Sequence, residues 1–115
     1  MSIFEGQYTF HCCNNLRRVY VGDGVKTVGG GAFYGDRNLE IISLPSRQVL
    51  TSKEIFDMEP NETMPLKTVV FRHGNAGYEH YSSLFSDIDE GCRFYVPKAA
   101  AKGFREKGYP NVIEM

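Results

Sequence analysis

Several groups of residues in this 115-residue chain could do chemistry, and the spacing of each limits what that chemistry would be. His11, Cys12 and Cys13 are consecutive. An imidazole beside a thiol can take its proton and leave a nucleophilic thiolate. Cys13, however, falls at a position of an internal repeat that belongs to the interior, and a free cysteine behaves most often as a small buried hydrophobe. His73 and His80 lack the i,i+4 spacing that sets two imidazoles on one helix face, and no cysteine pair accompanies them. They read as surface histidines. Gly22-x-Gly24 and Gly29-Gly-Gly31 suggest a phosphate cradle, but the Gly-Lys-Ser/Thr that opens a helix in a P-loop is missing. Asp87-Ile-Asp89-Glu-Gly91 starts like a calcium loop, yet its twelfth position is Lys98 where glutamate is required. Asn61-Glu-Thr63 is a glycosylation sequon whose value is to mark an exposed loop. Tyr78, Tyr81 and Phe85 lie at helical spacing, which favours a core stripe over a platform for stacking bases. No catalytic, metal-binding or cofactor-binding residue is assigned, and the expectation is a protein that is not an enzyme and carries no cofactor.

The elements that would position any site come from a repeat. Phe10 and Phe33, Leu16 and Leu39, Val19 and Ile42, Val21 and Leu44 each lie 23 residues apart. Phe85 precedes Phe94 by the same nine residues that separate Phe10 from Val19 and Phe33 from Ile42, while Phe56 precedes Val69 by thirteen. A period of roughly 20–50 residues is the mark of a solenoid. The matching apolar positions are too widely spaced for one helix face. They suit a turn, a bend carrying leucine, and a short strand with period-two alternation. Val19 and Val21, Ile42 and Leu44, Val69 and Phe71, Phe94 and Val96 then point inward as four rungs. One coil cannot bury its apolar face alone, so stability must come from stacking.

Unit three is irregular. Thr51 and Glu54 have the spacing of a capping box, with Leu50 stapling onto Ile55, and predict a short helix from about Ser52 to Met58, stopped by Pro60. Asn75 is a candidate cap for a helix carrying Tyr78, Tyr81, Leu84 and Phe85 on one face. At the C-terminus, Pro97 and Ala99-Ala-Ala101 start a helix that Gly108 and Pro110 end. Phe104, Tyr109, Val112 and Ile113 would fold back over the open end as a cap. The expected fold is an α/β solenoid in one domain, with coils at about 1–22, 23–45, 46–72 and 73–97 and a cap over 98–115. At the other end, Ile3 and Phe4 offer a partial lid. A bare first strand there would invite pairing into a homodimer.

Composition bounds the rest. Hydrophobic residues make up 42% and charged residues 23%, which excludes a disordered chain. The net charge of −1 lacks the basic excess of a nucleic-acid binder. No apolar run approaches the roughly 20 residues that insert across a membrane. The N-terminus lacks the basic and apolar regions of a signal peptide, which predicts an intracellular protein or a mature fragment of something longer. The three cysteines are an odd count. Three inter-strand steps of about 4.8 Å would hold Cys13 and Cys92 roughly 14 Å apart, beyond the 7 Å or so that a disulfide spans. Three free thiols are expected.

The strings Gly24-Val25-Lys-Thr-Val28-Gly29 and Ala32-Phe33-Tyr-Gly35-Asp-Arg-Asn38-Leu39-Glu-Ile-Ile42-Ser-Leu44-Pro45 resemble the repeat of the BspA-like leucine-rich-repeat family. Thr9-Phe10, Cys13 and Asn15-Leu16 match the same pattern, and Tyr95-Val96-Pro97 followed by a helix and an aromatic resembles the family's C-terminal capping segment. The middle departs from it, with Asp36 and Ile88 at the cysteine position and Gly91 at the leucine position. The resemblance implies a parallel-stranded solenoid of the kind found in bacterial surface proteins, with adhesion or protein binding as its role and the cell surface or exterior as its location. It brings no catalytic residues.

Alternation along the strands sends Arg18, Ile41, Thr68 and Arg93 outward in one row and Tyr20, Ser43, Val70 and Tyr95 in the next. Tyrosine and arginine are enriched at protein interfaces because they combine apolar area with hydrogen bonding. The expected function is therefore binding of a protein or glycan on another surface through this face. The competing expectation is a structural spacer that recognises nothing.

Overall fold

Short runs of alternating β-branched and aromatic residues favour strands, and five of them form one sheet in this computed structural model, which describes residues 16–51, 53–58, 60, 62–85 and 88–115. The strands are β1 (Arg18–Tyr20), β2 (Ile41–Leu44), β3 (Thr68–Phe71), β4 (Arg93–Val96) and β5 (Val112–Glu114). Their spatial order is their chain order, and every neighbouring pair is parallel. The fold is thus mixed α/β, with one short α-helix among the described residues, α1 (Ala101–Glu106). Residues named above from the first fifteen positions, including Ile3, Phe4, Phe10, His11, Cys12 and Cys13, lie outside the described residues, as do Ser52, Asn61 and Asp87.

The eight residues expected to point inward are all buried. Register sets Val19 beside Ile42, Ile42 beside Val69, Val69 beside Phe94, and Phe94 beside Val112. Behind the sheet a second set of backbone bonds joins the same sequence units. The Val28, Phe33 and Gly35 amides donate to the carbonyls of Val49, Ile55 and Asp57 at 2.8, 3.0 and 2.9 Å. Isolated parallel bridges join Val28 to Leu50 and Met64 to Ile88. Adjacent units are therefore held on two sides, which satisfies backbone groups that burial would otherwise leave stranded.

Between these lines runs a stack of rings. Phe33 lies 6.0 Å from Phe56 with planes 8° apart, and Phe56 lies 5.3 Å from Phe85 with planes 13° apart. A second group forms nearer the C-terminus. Phe71 stacks on Phe104 of α1 at 5.3 Å, and Tyr109 meets Phe104 edge-on at 5.0 Å. Phe104 and Tyr109 are buried, as their place in a cap requires. Gly108, at φ 85°, ends α1, and a Cβ there would meet the His80 ring at 2.5 Å. Only glycine fits that turn.

Three expectations are corrected. Val112 and Ile113 do not fold over the end of the sheet; they extend it as β5, paired with Phe94 and Tyr95. The chain completes one more parallel pass after α1, and Arg105 Nη2 bonds the Val112 carbonyl at 3.4 Å at the free edge. The predicted helix at about Ser52–Met58 is a single 3₁₀ turn at Lys53–Phe56. The Thr51 hydroxyl donates to the Val28 carbonyl at 3.2 Å, a tertiary partner in the preceding unit. The Asn75 helix is likewise reduced to a 3₁₀ turn at Tyr81–Ser83. Asn75 Oδ1 accepts from the Gly77 amide at 2.9 Å, closing a local turn that competes with helix. Tyr78 consequently leaves the core and is 97% exposed, while Leu84 and Phe85 remain buried.

Candidate functional site

The outward rows are brought together by register. Arg18 lies beside Ile41, Ile41 beside Thr68, and Thr68 beside Arg93. In the next row Tyr20 lies beside Ser43, Ser43 beside Val70, and Val70 beside Tyr95. Arg18, Tyr20 and Arg93 are exposed, and Ile41, Ser43, Thr68, Val70 and Tyr95 are half-buried. Ile113, beside Tyr95, adds a member to the second row that the cap expectation had placed elsewhere. Arg18 and Arg93 form no ion pair among the described residues.

A residue missed by the sequence reading orders one end of this face. Arg72 follows β3 in phase with Thr68 and Val70, so continued alternation would have found it. Its guanidinium lies 4.1 Å from the centre of the Tyr20 ring. Nη1 donates to Ser43 Oγ at 2.7 Å, and Nη2 donates to the Val21 carbonyl at 2.5 Å and to Asp23 Oδ1 at 2.8 Å. The side chain is only 16% exposed. Arg72 therefore crosses β2 to reach β1, and it fixes the Tyr20 ring by a cation–π contact.

The hydrogen bond from Arg72, with its charge and a smaller contribution from His73 at 3.6 Å, holds the Asp23 carboxyl below its ordinary 3.8. A lowered carboxyl pKa gives stability that is present above the unfolded-state value and lost as pH falls through the folded one. Arg72→Met is expected to move the Asp23 midpoint up toward 3.8. His73→Ala should move it less. Carboxyl-carbon NMR titration reads both, and an unmoved Asp23 in Arg72→Met would remove Arg72 from this role.

Cys92 is free and buried. Burial first, and Asp89 second, push its thiol up to about 12, so it carries almost no thiolate at neutral pH. Burial raises Tyr81 to about 12 and raises Tyr109 as well. Among the described residues, no cluster of His, Cys, Asp and Glu is arranged to hold a metal ion. No described helix is long and apolar enough to cross a membrane.

A cleft of about 550 Å³ opens elsewhere, between the turn at Arg47–Val49, the loop at 75–78 and the C-terminal half of α1. The sequence carried no signal for it, because its walls come from three separate segments.

No family model, curated protein or solved structure matches the chain significantly.

Proposed function

We propose that the chain is a short solenoid of the leucine-rich-repeat type, related to the BspA-like family, and that it works as a non-enzymatic binding module. The parallel strands in chain order, the second line of backbone bonds and the phenylalanine stack all support the solenoid. In this reading coils run over about 23–45, 46–72 and 73–97, and the C-terminal segment adds α1 and then a fifth strand to the sheet.

The partner is a protein that lies against the outward face of the strands. One observation carries this reading: Tyr20, Ser43, Val70 and Tyr95 form a registered strip flanked by Arg18 and Arg93. A row of this kind offers aromatic anchors and guanidinium groups that form no ion pair among the described residues. Interfaces draw most of their energy from such residues. Holding Tyr20 under Arg72 lowers the cost of ordering it on contact.

The test is an array of proteins and glycans probed with the full chain and with the Tyr20→Ala/Arg93→Ala double variant. Specific capture of a protein should weaken at least about thirtyfold in the variant, as two hot-spot truncations would. Equal capture would displace the site from this face. No specific capture would favour the spacer reading, and capture by a glycan alone would reassign the partner.

A further inference from the structure

We propose that the cleft between the Arg47–Val49 turn, the 75–78 loop and α1 binds a neutral saccharide. This site is separate from the strand face and does not depend on what that face binds.

The cleft's volume of about 550 Å³ falls within the range of small-ligand sites. Its walls include Arg47, Gln48, Asn75, Tyr78, Glu106 and Lys107. The polar groups are of both kinds: guanidinium and ammonium donate, carboxylate accepts, and the two amides do both. A sugar hydroxyl also donates and accepts, so a polyhydroxylated ligand can use the donor and acceptor positions that these groups do not spend on one another.

Charge selects against an ionic ligand. Arg47 is matched by Glu79, which accepts from Arg47 Nη1 at 3.1 Å, and the wall also holds one carboxylate, Glu106, and one ammonium, Lys107. Glu106 also approaches Lys102, outside the wall, at 3.9 Å. An entering anion would have to displace Glu79 from the guanidinium. A neutral ligand can bond to the rim of the pair and leave it intact.

The site is also built in advance. Arg47 is 7% exposed, and its guanidinium lies under Gly77, whose φ is 70°. A Cβ at Gly77 would stand 2.6 Å from Arg47 Nη2, so glycine is required for the loop to cover that group. Gln48 Nε2 donates to the Asn75 carbonyl at 3.2 Å and to Asn75 Oδ1 at 3.3 Å. These bonds hold the two amides at the wall, which reduces the ordering cost of binding. Tyr78, 97% exposed, keeps almost none of its ring in the core although the ring is large and apolar. An aromatic face carries partial negative charge and attracts the C–H face of a sugar ring.

Amide NMR titration of the full chain tests the proposal. The probes are neutral trisaccharides of glucose, galactose, mannose and N-acetylglucosamine, with trigalacturonate as the anionic comparison. At least one neutral trisaccharide should give saturable shifts at Gln48, Asn75, Gly77, Tyr78 and Lys107. Tyr78→Ala should weaken that binding about tenfold, and Tyr20→Ala should leave it unchanged. Tyr78 is too exposed for its loss to unfold the chain. The proposal is overturned by a lack of saturable shifts with every neutral probe, by binding of trigalacturonate alone, or by full affinity in Tyr78→Ala.

Discussion

Phe56→Ala is expected to cost about 3–5 kcal/mol of folding free energy, the range for removing a buried aromatic from a core that cannot collapse around the gap. Phe56 is the middle ring of a stack, 6.0 Å from Phe33 and 5.3 Å from Phe85. Its neighbours are held by backbone bonds: the Phe33 amide donates to the carbonyl of Ile55 in the next unit, and the Phe85 amide to the carbonyl of Tyr81. They cannot close a ring-sized cavity without breaking those bonds. A domain of this size has about 5–15 kcal/mol to lose, so one substitution removes a large share. Urea unfolding should show a lower midpoint with an unchanged slope. A loss under about 1 kcal/mol would mean that the stack carries little of the fold's stability.

Phe104→Ala should cost a similar amount in transfer and cavity terms but show itself differently. Phe104 is buried against Phe71 at 5.3 Å and Tyr109 at 5.0 Å. Its helix has six residues, far short of the roughly 12–15 needed for even marginal stability alone. Packing of this side chain therefore holds the helix in place. When stability is a sum of units and their interfaces, an end unit can open before the others. Hydrogen exchange of Phe104→Ala is expected to lose protection in α1 and β5 first, while amides of β2 and β3 keep theirs. In Phe56→Ala the loss should spread through the sheet. Uniform loss in both variants would show that the C-terminal segment and the sheet unfold as one unit.

The strands were legible because their signal is local and strong. Val19, Ile42 and Phe94 each follow a phenylalanine by nine residues and Val69 follows one by thirteen, and each strand obeys period-two alternation, so both inward and outward rows are legible in the sequence. The segments between strands were harder to read. Thr51 has the sequence of a helix cap, yet its hydroxyl also donates to the Val28 carbonyl of the preceding unit, a contact no local pattern announces. Asn75 turns its side chain onto Gly77 and closes a turn where the apolar spacing suggested a helix. At Asn75 a local turn bond competes with helix, and at Thr51 the partner lies in another unit. β5 was missed because Val112-Ile-Glu114 is short and follows a helix, so it looked like the tail of a cap. Arg72 was missed for a simpler reason: the alternation was stopped at the last residue of β3. The cleft was not legible at all, since Arg47, Asn75 and Lys107 are near one another only after folding.

Interstrand contacts measured by NMR test the winding itself. If the chain advances by one strand per unit, nuclear Overhauser contacts characteristic of parallel pairing will link Val19 to Ile42, Ile42 to Val69, Val69 to Phe94 and Phe94 to Val112. Antiparallel contacts between any of these pairs, or a strand beside one that is not its predecessor or successor, would contradict the account.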